Sequence, residues 1–133
     1  MPRPSAGRPP KSTPEIVIAS DSPETLDGLQ SYLSAAGLRV RGTRELDSAA
    51  LTAESVAAVV LFADDFDGDA VLALVARILK SRGDVLPLIV SGEPRRFDAL
   101  IRADAGDRPA PVVIPKPAWG SMILDTIRNR LKA

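Results

Sequence analysis

Two hydrophobic patterns alternate along the chain. Short runs of consecutive apolar residues are typical of strands buried on both faces of a sheet. Longer segments that repeat apolar residues every three or four positions are typical of amphipathic helices. The short runs predict strands at residues 16–19, 38–40, 56–63, 86–90 and 112–114. The longer segments predict helices after each strand, around Leu26–Ala36, Leu46–Ala53, Val71–Leu79, Phe97–Ile101 and Ile123–Leu131.

Strict alternation of five strands with five helices predicts an α/β domain with a parallel sheet and helices on both faces. Because crossovers between parallel strands are right-handed, few topologies remain. We expect the doubly wound five-stranded sheet with strand order 2-1-3-4-5. The first helix carries the clearest end signals: Ser22 suits the N-cap, Pro23 suits the first turn, and Gly37 suits the C-terminal cap.

The length of 133 residues fits one domain. Residues 1–14 carry prolines at 2, 4, 9, 10 and 14, and we expect a disordered tail there. The folded domain is predicted to span 15–133. Hydrophobic residues make up 45% of the chain but aromatic residues only 4%, so the core should be aliphatic.

Charge and hydropathy exclude two kinds of partner. Lys+Arg and Asp+Glu both number 17, so no basic excess points to nucleic acid or to an anionic membrane. No apolar run approaches the ~20 residues that span a bilayer. The N-terminal residues are basic but lack an apolar signal core. We therefore expect a cytoplasmic protein.

The chain contains no cysteine and no histidine. Thiol nucleophiles, disulfides and cysteine metal sites are therefore excluded, as are Ser-His-Asp triads and histidine ligands. The chemistry that remains belongs to carboxylates, hydroxyls and amines.

Polar side chains follow four of the predicted strands. Ser20-Asp21 follows the first strand, Asp64-Asp65 the third, Ser91-Gly92 the fourth and Lys116-Pro117 the fifth. In an open parallel sheet, ligands bind at the carboxyl ends of the strands. These ends would bring together acids, a hydroxyl and a lysine, a set that can hold a cation and a phosphoryl group.

The order and spacing of residues 16–23, Ser91-Gly92 and Lys116-Pro117 resemble the receiver domain of two-component response regulators, over roughly Glu15–Lys132. The resemblance implies a flavodoxin-like fold and a signalling role in a phosphorelay, without enzymatic activity. A histidine kinase or another signalling protein would be the partner. In receivers an aspartate after the third strand accepts the phosphoryl group, and the Ser and Lys bond its oxygens. Ser91 and Lys116 match those two positions.

The resemblance leaves the phosphoacceptor ambiguous. Counting without gaps from the start of the third strand places Ala63 at the accepting position. We favour Asp64 as the acceptor, with Asp65 as second choice. Receivers also bind Mg²⁺ through two acids after the first strand and through the acceptor. Here Asp21, with Asp64 or Asp65, would hold the ion.

Some positions depart from the receiver pattern. Ser20 stands where the first metal-binding acid would be, which should weaken Mg²⁺ binding, and Val113 stands where receivers often carry an aromatic switch. These departures keep a second hypothesis open. It is a pseudo-receiver that never accepts phosphate and serves as a protein-interaction module or forms a homodimer.

A third hypothesis is a small flavodoxin-like nucleotide-binding enzyme. The chain has no glycine-rich nucleotide motif, which argues against it.

Simpler structural roles are also open to single residues. Asp64 and Asp65 could form a solvated turn or cap the third helix, and Asp21 could cap the first helix. The only tryptophan, Trp119, is expected to pack over the start of the last helix.

Overall fold

The computed structural model describes residues 15–48, 51, 53, 55–81, 84–98 and 111–131. These residues form a five-stranded sheet in the order β2-β1-β3-β4-β5, and every neighbouring pair of strands is parallel. The predicted strand order is therefore confirmed. The strands are β1 (Glu15–Ala19), β2 (Arg39–Thr43), β3 (Val56–Phe62), β4 (Leu86–Ser91) and β5 (Val112–Pro115).

Three α-helices lie within the described residues: α1 (Pro23–Ala35), α2 (Gly68–Ser81) and α3 (Gly120–Leu131). Side chains alternate across each strand, so successive residues of β1 enter different cores. Ile16 and Ile18 pack with α1 and α3, whereas Val17 and Ala19 pack with α2. The sheet is thus covered on both faces, and the three innermost strands are almost wholly buried.

Local sequence explains both ends of α1. Ser22 is the N-cap, and its hydroxyl oxygen accepts a hydrogen bond from the Thr25 backbone N–H at 3.2 Å. At the other end, Gly37 adopts φ 95°, a left-handed conformation that only glycine reaches readily. The Leu38 N–H then bonds the Leu33 carbonyl at 3.2 Å, as in a Schellman motif. Both predicted caps are therefore confirmed.

The two weakest predicted helices lie largely outside the described residues. Leu46–Ala53 is not a described helix, and several of its residues lie outside the described part of the chain. A 3₁₀ helix occupies Pro94–Phe97, where the fourth α-helix was expected to begin, and residues 99–110 of that region are not described. Pro94 suits this tight first turn, and Phe97 at its end is buried in the core on the α2 face.

A buried acid was missed at the first residue of β1. The side chain of Glu15 is only 6% exposed and faces Arg41 on β2, with 2.6 Å between Glu15 Oε2 and Arg41 Nε. The Arg41 Nη2 and the Ser55 hydroxyl also donate to Glu15. The Ser55 hydrogen bond and then Arg41 lower the pKa of Glu15 despite its burial. This contact links β1, β2 and the residue that precedes β3.

Candidate site at the strand ends

The two acids after β3 point to different parts of the sheet edge. β3 ends at Phe62, and Ala63–Asp65 form a single 3₁₀ turn with Ala63 buried beneath it. Consecutive side chains of such a turn diverge. Asp64 reaches toward β4 and β5, whereas Asp65 reaches toward the residues that follow β1.

Asp64 accepts contacts from three donors on two strands. The Ser91 hydroxyl donates to Oδ1 at 2.8 Å, and the Gly92 backbone N–H donates to Oδ2 at 2.8 Å. The Lys116 Nζ lies 3.3 Å from the same Oδ2. The Lys116–Pro117 peptide bond is cis. Both oxygens of the Asp64 carboxylate are therefore engaged.

These contacts lower the pKa of the Asp64 carboxyl from its usual value. The largest cause is the Gly92 N–H, and the Ser91 hydroxyl and the Lys116 ammonium act in the same direction, while partial burial opposes them. Hydrogen bonds and a nearby cation both favour the charged form of a carboxyl. Asp64 is held as a carboxylate, although 37% of its side chain remains exposed.

Asp65 binds the loop after β1. Its Oδ2 accepts the Ser20 hydroxyl at 2.5 Å and the Asp21 backbone N–H at 3.1 Å. Ser20 is fully buried, and its oxygen also accepts the Ser22 N–H at 3.1 Å. Ser20 therefore donates its one proton to Asp65. The serine at this position does more than remove an acid, because it supplies the donor that fixes Asp65.

The Asp21 carboxylate does not join the other two acids. Its Oδ1 lies 3.2 Å from Arg44 Nη2, and the side chain is 62% exposed. It does not cap α1 either, since Ser22 takes that role. The cap of α2 likewise belongs to neither Asp64 nor Asp65. Asp67 supplies it, accepting the Ala70 N–H at 3.1 Å.

The acids that the resemblance offers to Mg²⁺ are not gathered into one cluster. Among the residues that the structure describes, no three acidic side chains stand close enough together to hold a metal ion. Mg²⁺ demands near-octahedral oxygen ligands, and here each candidate carboxylate already faces protein donors. Asp21 faces Arg44, Asp65 accepts Ser20, and Asp64 faces Lys116.

Compared with the predicted site, the structure brings Asp64, Ser91 and Lys116 together, places Asp65 beside Ser20, and turns the Asp21 carboxylate away. Sequence reasoning missed the Gly92 N–H as a donor. Every residue except proline has a backbone N–H, so the sequence does not show which of them donates to a side chain. The glycine after Ser91 was the one sequence feature that suggested a close approach of the backbone. The role of Asp64 as phosphoacceptor stays a prediction.

Trp119 does not pack over the last helix as expected. It is 65% exposed, and Tyr32 and Met122 are also exposed, at 43% and 39%. Tyr32 on α1 lines a groove of about 430 Å³ between α1 and α3, together with Phe62, Ala118 and Gly120. We call Tyr32, Trp119 and Met122 the aromatic surface. The Trp119 carbonyl, rather than its ring, contacts the start of α3, where it accepts the Met122 N–H at 3.0 Å.

Fold and site together define the class of structure: a doubly wound parallel sheet with acids, a serine and a lysine at its carboxyl edge. Solved structures of this class confirm the resemblance to receiver domains. The non-phosphorylated HemR receiver domain from Leptospira biflexa is 21% identical with a TM-score of 0.71, covering 91% of this chain and 96% of that one. The receiver domain of the TMAO respiratory response regulator TorR is 28% identical with a TM-score of 0.69, covering 90% and 97%.

A further neighbour is larger than this chain. The anti-anti-sigma factor PhyR from Bartonella quintana is 20% identical with a TM-score of 0.63, covering 90% of this chain and 48% of PhyR. Known protein-family models and curated protein sequences give no match. The chain therefore has the fold of receiver domains, as expected. Within the described residues, no helix has the length and apolarity to cross a bilayer.

Proposed function

We propose that this chain is a receiver-like signalling domain that acts through protein contacts and does not depend on phosphoryl transfer, that is, a pseudo-receiver. One observation carries this choice. Of the carboxylates that the resemblance offers to Mg²⁺, which are Asp21, Asp64 and Asp65, two are directed away from a shared site: Asp21 faces Arg44, and Asp65 accepts Ser20.

Electrostatic repulsion opposes phosphoryl transfer to this site. A phosphoryl donor brings negative charge to a carboxylate, and enzymes and receivers neutralise that charge with a metal ion and a cation. Here Lys116 supplies one cation, but Asp64 and Asp65 remain two adjacent carboxylates. With Asp21 facing Arg44 and Asp65 accepting Ser20, neither carboxylate is directed toward a metal ion beside Asp64, and the approaching phosphoryl oxygens meet uncompensated negative charge.

A second function is favoured by a different observation. Lys116 and Ser91 both contact Asp64. The resemblance to receivers assigns these three residues to the acceptance of a phosphoryl group. In a live receiver an Asp64 oxygen would form a bond to phosphorus while the bond from phosphorus to the donor's leaving group, acetate in the case of acetyl phosphate, breaks.

Intact-mass measurement separates the two functions. The full chain is incubated with Mg²⁺ and acetyl phosphate, beside a receiver domain known to accept phosphate. We expect no phosphoryl adduct on this chain while the control is modified. An adduct that Asp64→Asn abolishes would overturn the pseudo-receiver, and one that only Asp65→Asn abolishes would do so through the second-choice acceptor.

Protein contact is supported by the aromatic surface. Large exposed apolar side chains clustered beside a groove mark interaction sites more often than chance. Tyr32 and Glu24 line the α1–α3 groove, and the exposed Trp119 and Met122 lie at the start of α3, whose first residue, Gly120, also lines it. We propose that a signalling protein binds here. A histidine kinase, another signalling protein or a second copy of this chain fits the role, and the proposal includes no catalytic turnover and a cytoplasmic location.

A further inference from the structure

The α1–α3 groove has open space where α1 carries a glycine. Gly28 lines this groove of about 430 Å³. Apart from the backbone of its own helix, a Cβ added at Gly28 would meet no described atom within 4 Å, so packing inside the domain does not require glycine there. Glycine is also a poor residue for the interior of a helix. The missing side chain therefore weakens α1 and leaves room in the groove.

The Tyr32 ring forms a fixed wall of the same groove. A Cβ added at Gly120 would lie 3.0 Å from the Tyr32 Cδ2, so the ring lies directly against the backbone at the start of α3. Tyr32 nevertheless remains 43% exposed. A ring that is already held in place offers an apolar surface to a ligand, and little side-chain entropy is lost on binding.

The charge of the groove favours a cationic ligand. Among the described residues that line it, Glu24 is the only charged one. The whole of α1 contains two acids, Glu24 and Asp27, and neither lysine nor arginine. Proline-rich segments bind grooves lined by aromatic residues, because their extended polyproline conformation is largely formed before binding. A proline-rich segment with basic residues therefore suits this groove in shape and in charge.

The chain itself contains a segment of this composition. Residues 1–14, which we call the N-terminal segment, contain five prolines, three basic residues and no acid. Pro9-Pro10 lies directly between Arg8 and Lys11, so a rigid apolar pair is flanked by two cations. The N-terminal segment lies outside the part of the chain that the structure describes.

The attachment point of the N-terminal segment places the groove within its reach. The segment joins the domain at Glu15, and α1 begins beyond the other end of β1. The five residues of β1 span about 16 Å. In a polyproline conformation the 14 residues of the segment reach about 43 Å. Attachment to the domain gives the segment a high effective concentration at the groove, which favours it over the same sequence on another molecule.

We propose that the N-terminal segment binds the α1–α3 groove of its own domain, with Pro9-Pro10 against the Tyr32 ring and over Gly28, and with a basic side chain beside Glu24. Trp119 does not line the groove, so its ring stays exposed beside the bound segment. The bound segment would compete with the signalling partner for the groove, and this regulatory role rests on the proposed function. The binding itself does not depend on how the domain responds to phosphate.

A nitroxide spin label on the N-terminal segment tests the proposal in the full chain. The chain has no cysteine, so Ser5→Cys provides a single attachment point. A nitroxide broadens the NMR amide signals of residues near it. We expect the Gly28, Tyr32 and Gly120 amides to lose most of their intensity, while amides of α2, on the other face of the sheet, lose little. Equal broadening of the two faces would overturn the proposal.

Variants of the segment and of the groove test the contact from both sides. In the spin-labelled chain, Pro9→Ser with Pro10→Ser should abolish the selective broadening. Gly28→Leu should do the same, because the leucine fills the open space. Ser34→Leu, at an exposed residue of α1 that does not line the groove, should leave the broadening unchanged. Selective broadening that persists in the proline variant or in Gly28→Leu would refute the proposed contact.

A mixture of two chains identifies the molecule that supplies the segment. One chain is isotope-labelled and carries no nitroxide, and the other carries the nitroxide without isotope. We expect no selective broadening in this mixture. Broadening of the Gly28 and Tyr32 amides there would show that a second copy supplies the segment, and would overturn binding within one chain.

The spin-label experiment uses no phosphodonor and no partner protein, so it can fail separately from the acetyl phosphate labelling. A phosphoryl adduct together with selective broadening overturns the pseudo-receiver and supports the bound segment. No adduct and no selective broadening overturns the bound segment and leaves the pseudo-receiver supported.

Discussion

Replacement of Glu15 by Gln should destabilise the domain substantially. The carboxylate is 6% exposed and receives two Arg41 donors and the Ser55 hydroxyl. A hydrogen bond to a charged group contributes about 1.5–3 kcal/mol. Two features limit the loss of stability. Gln keeps one acceptor oxygen, and the Arg41 side chain, which is 48% exposed, can bind water in place of the lost carboxylate oxygen. We therefore expect a loss of about 2 kcal/mol in the free energy of unfolding, or about 8 °C in the thermal midpoint.

The pH dependence of this loss has a definite sign. The pKa of Glu15 is lowered in the folded state, so its carboxylate stabilises the fold above the unfolded pKa. That stabilisation is lost as the pH falls through the folded pKa. The difference between wild type and Glu15→Gln should be full at neutral pH and should shrink toward zero in acid.

Chemical denaturation followed by circular dichroism measures this difference at each pH. Glu45→Gln, at an exposed glutamate, is the matched control and should be near neutral. A double-mutant cycle with Arg41→Gln isolates the ion pair. A Glu15→Gln difference within about 0.5 kcal/mol of the control, or one that grows in acid, would refute the reasoning.

Three more predictions concern Ser20, Gly37 and Trp119. Ser20→Asp should lower the thermal midpoint in metal-free buffer, because a buried second carboxylate then faces Asp65. Added Mg²⁺ should restore the midpoint. An unchanged midpoint in metal-free buffer would contradict this prediction. Gly37→Ala should cost about 1–2 kcal/mol in denaturation, since its φ of 95° suits only glycine, and a neutral effect would contradict that conformation. Trp119 should show water-exposed, readily quenched fluorescence, whereas blue-shifted emission in dilute protein would show that its ring is covered.

The layer structure of the domain was predictable because burial leaves a strong periodic signal. Strands buried on both faces, such as 56–63, read as continuous apolar runs, and right-handed crossovers then restrict the strand order. The caps Ser22 and Gly37 were predictable because each satisfies a local backbone requirement. The sequence signal for a helix at Leu46–Ala53 is weaker, since small residues such as Ala53 give little periodic contrast.

The site was predictable only to the level of strand ends. Ser91 and Lys116 follow buried strands, so topology alone places them at one edge of the sheet. The different directions of Asp64 and Asp65 depend on a one-turn 3₁₀ helix, for which the sequence carries no clear signal. The turn of Asp21 toward Arg44 depends on an arginine 23 residues away.

Long-range polar pairs also escaped prediction. Glu15 opens a strand, where a charged residue usually lies in solvent, and its partner Arg41 is 26 residues further along the chain. Only the register of β1 against β2 brings them together.

The central claim is that the Asp64 carboxylate is held by the Gly92 N–H, the Ser91 hydroxyl and Lys116. An NMR pH titration of the wild-type chain, following the Asp64 carboxyl carbon and the Gly92 amide proton, tests it most directly. We predict a shared midpoint below about 3.9, the usual value for aspartate, with the Gly92 amide moving upfield as its acceptor is protonated. An Asp64 that titrates at or above the usual value, with an unresponsive Gly92 amide, would contradict the account.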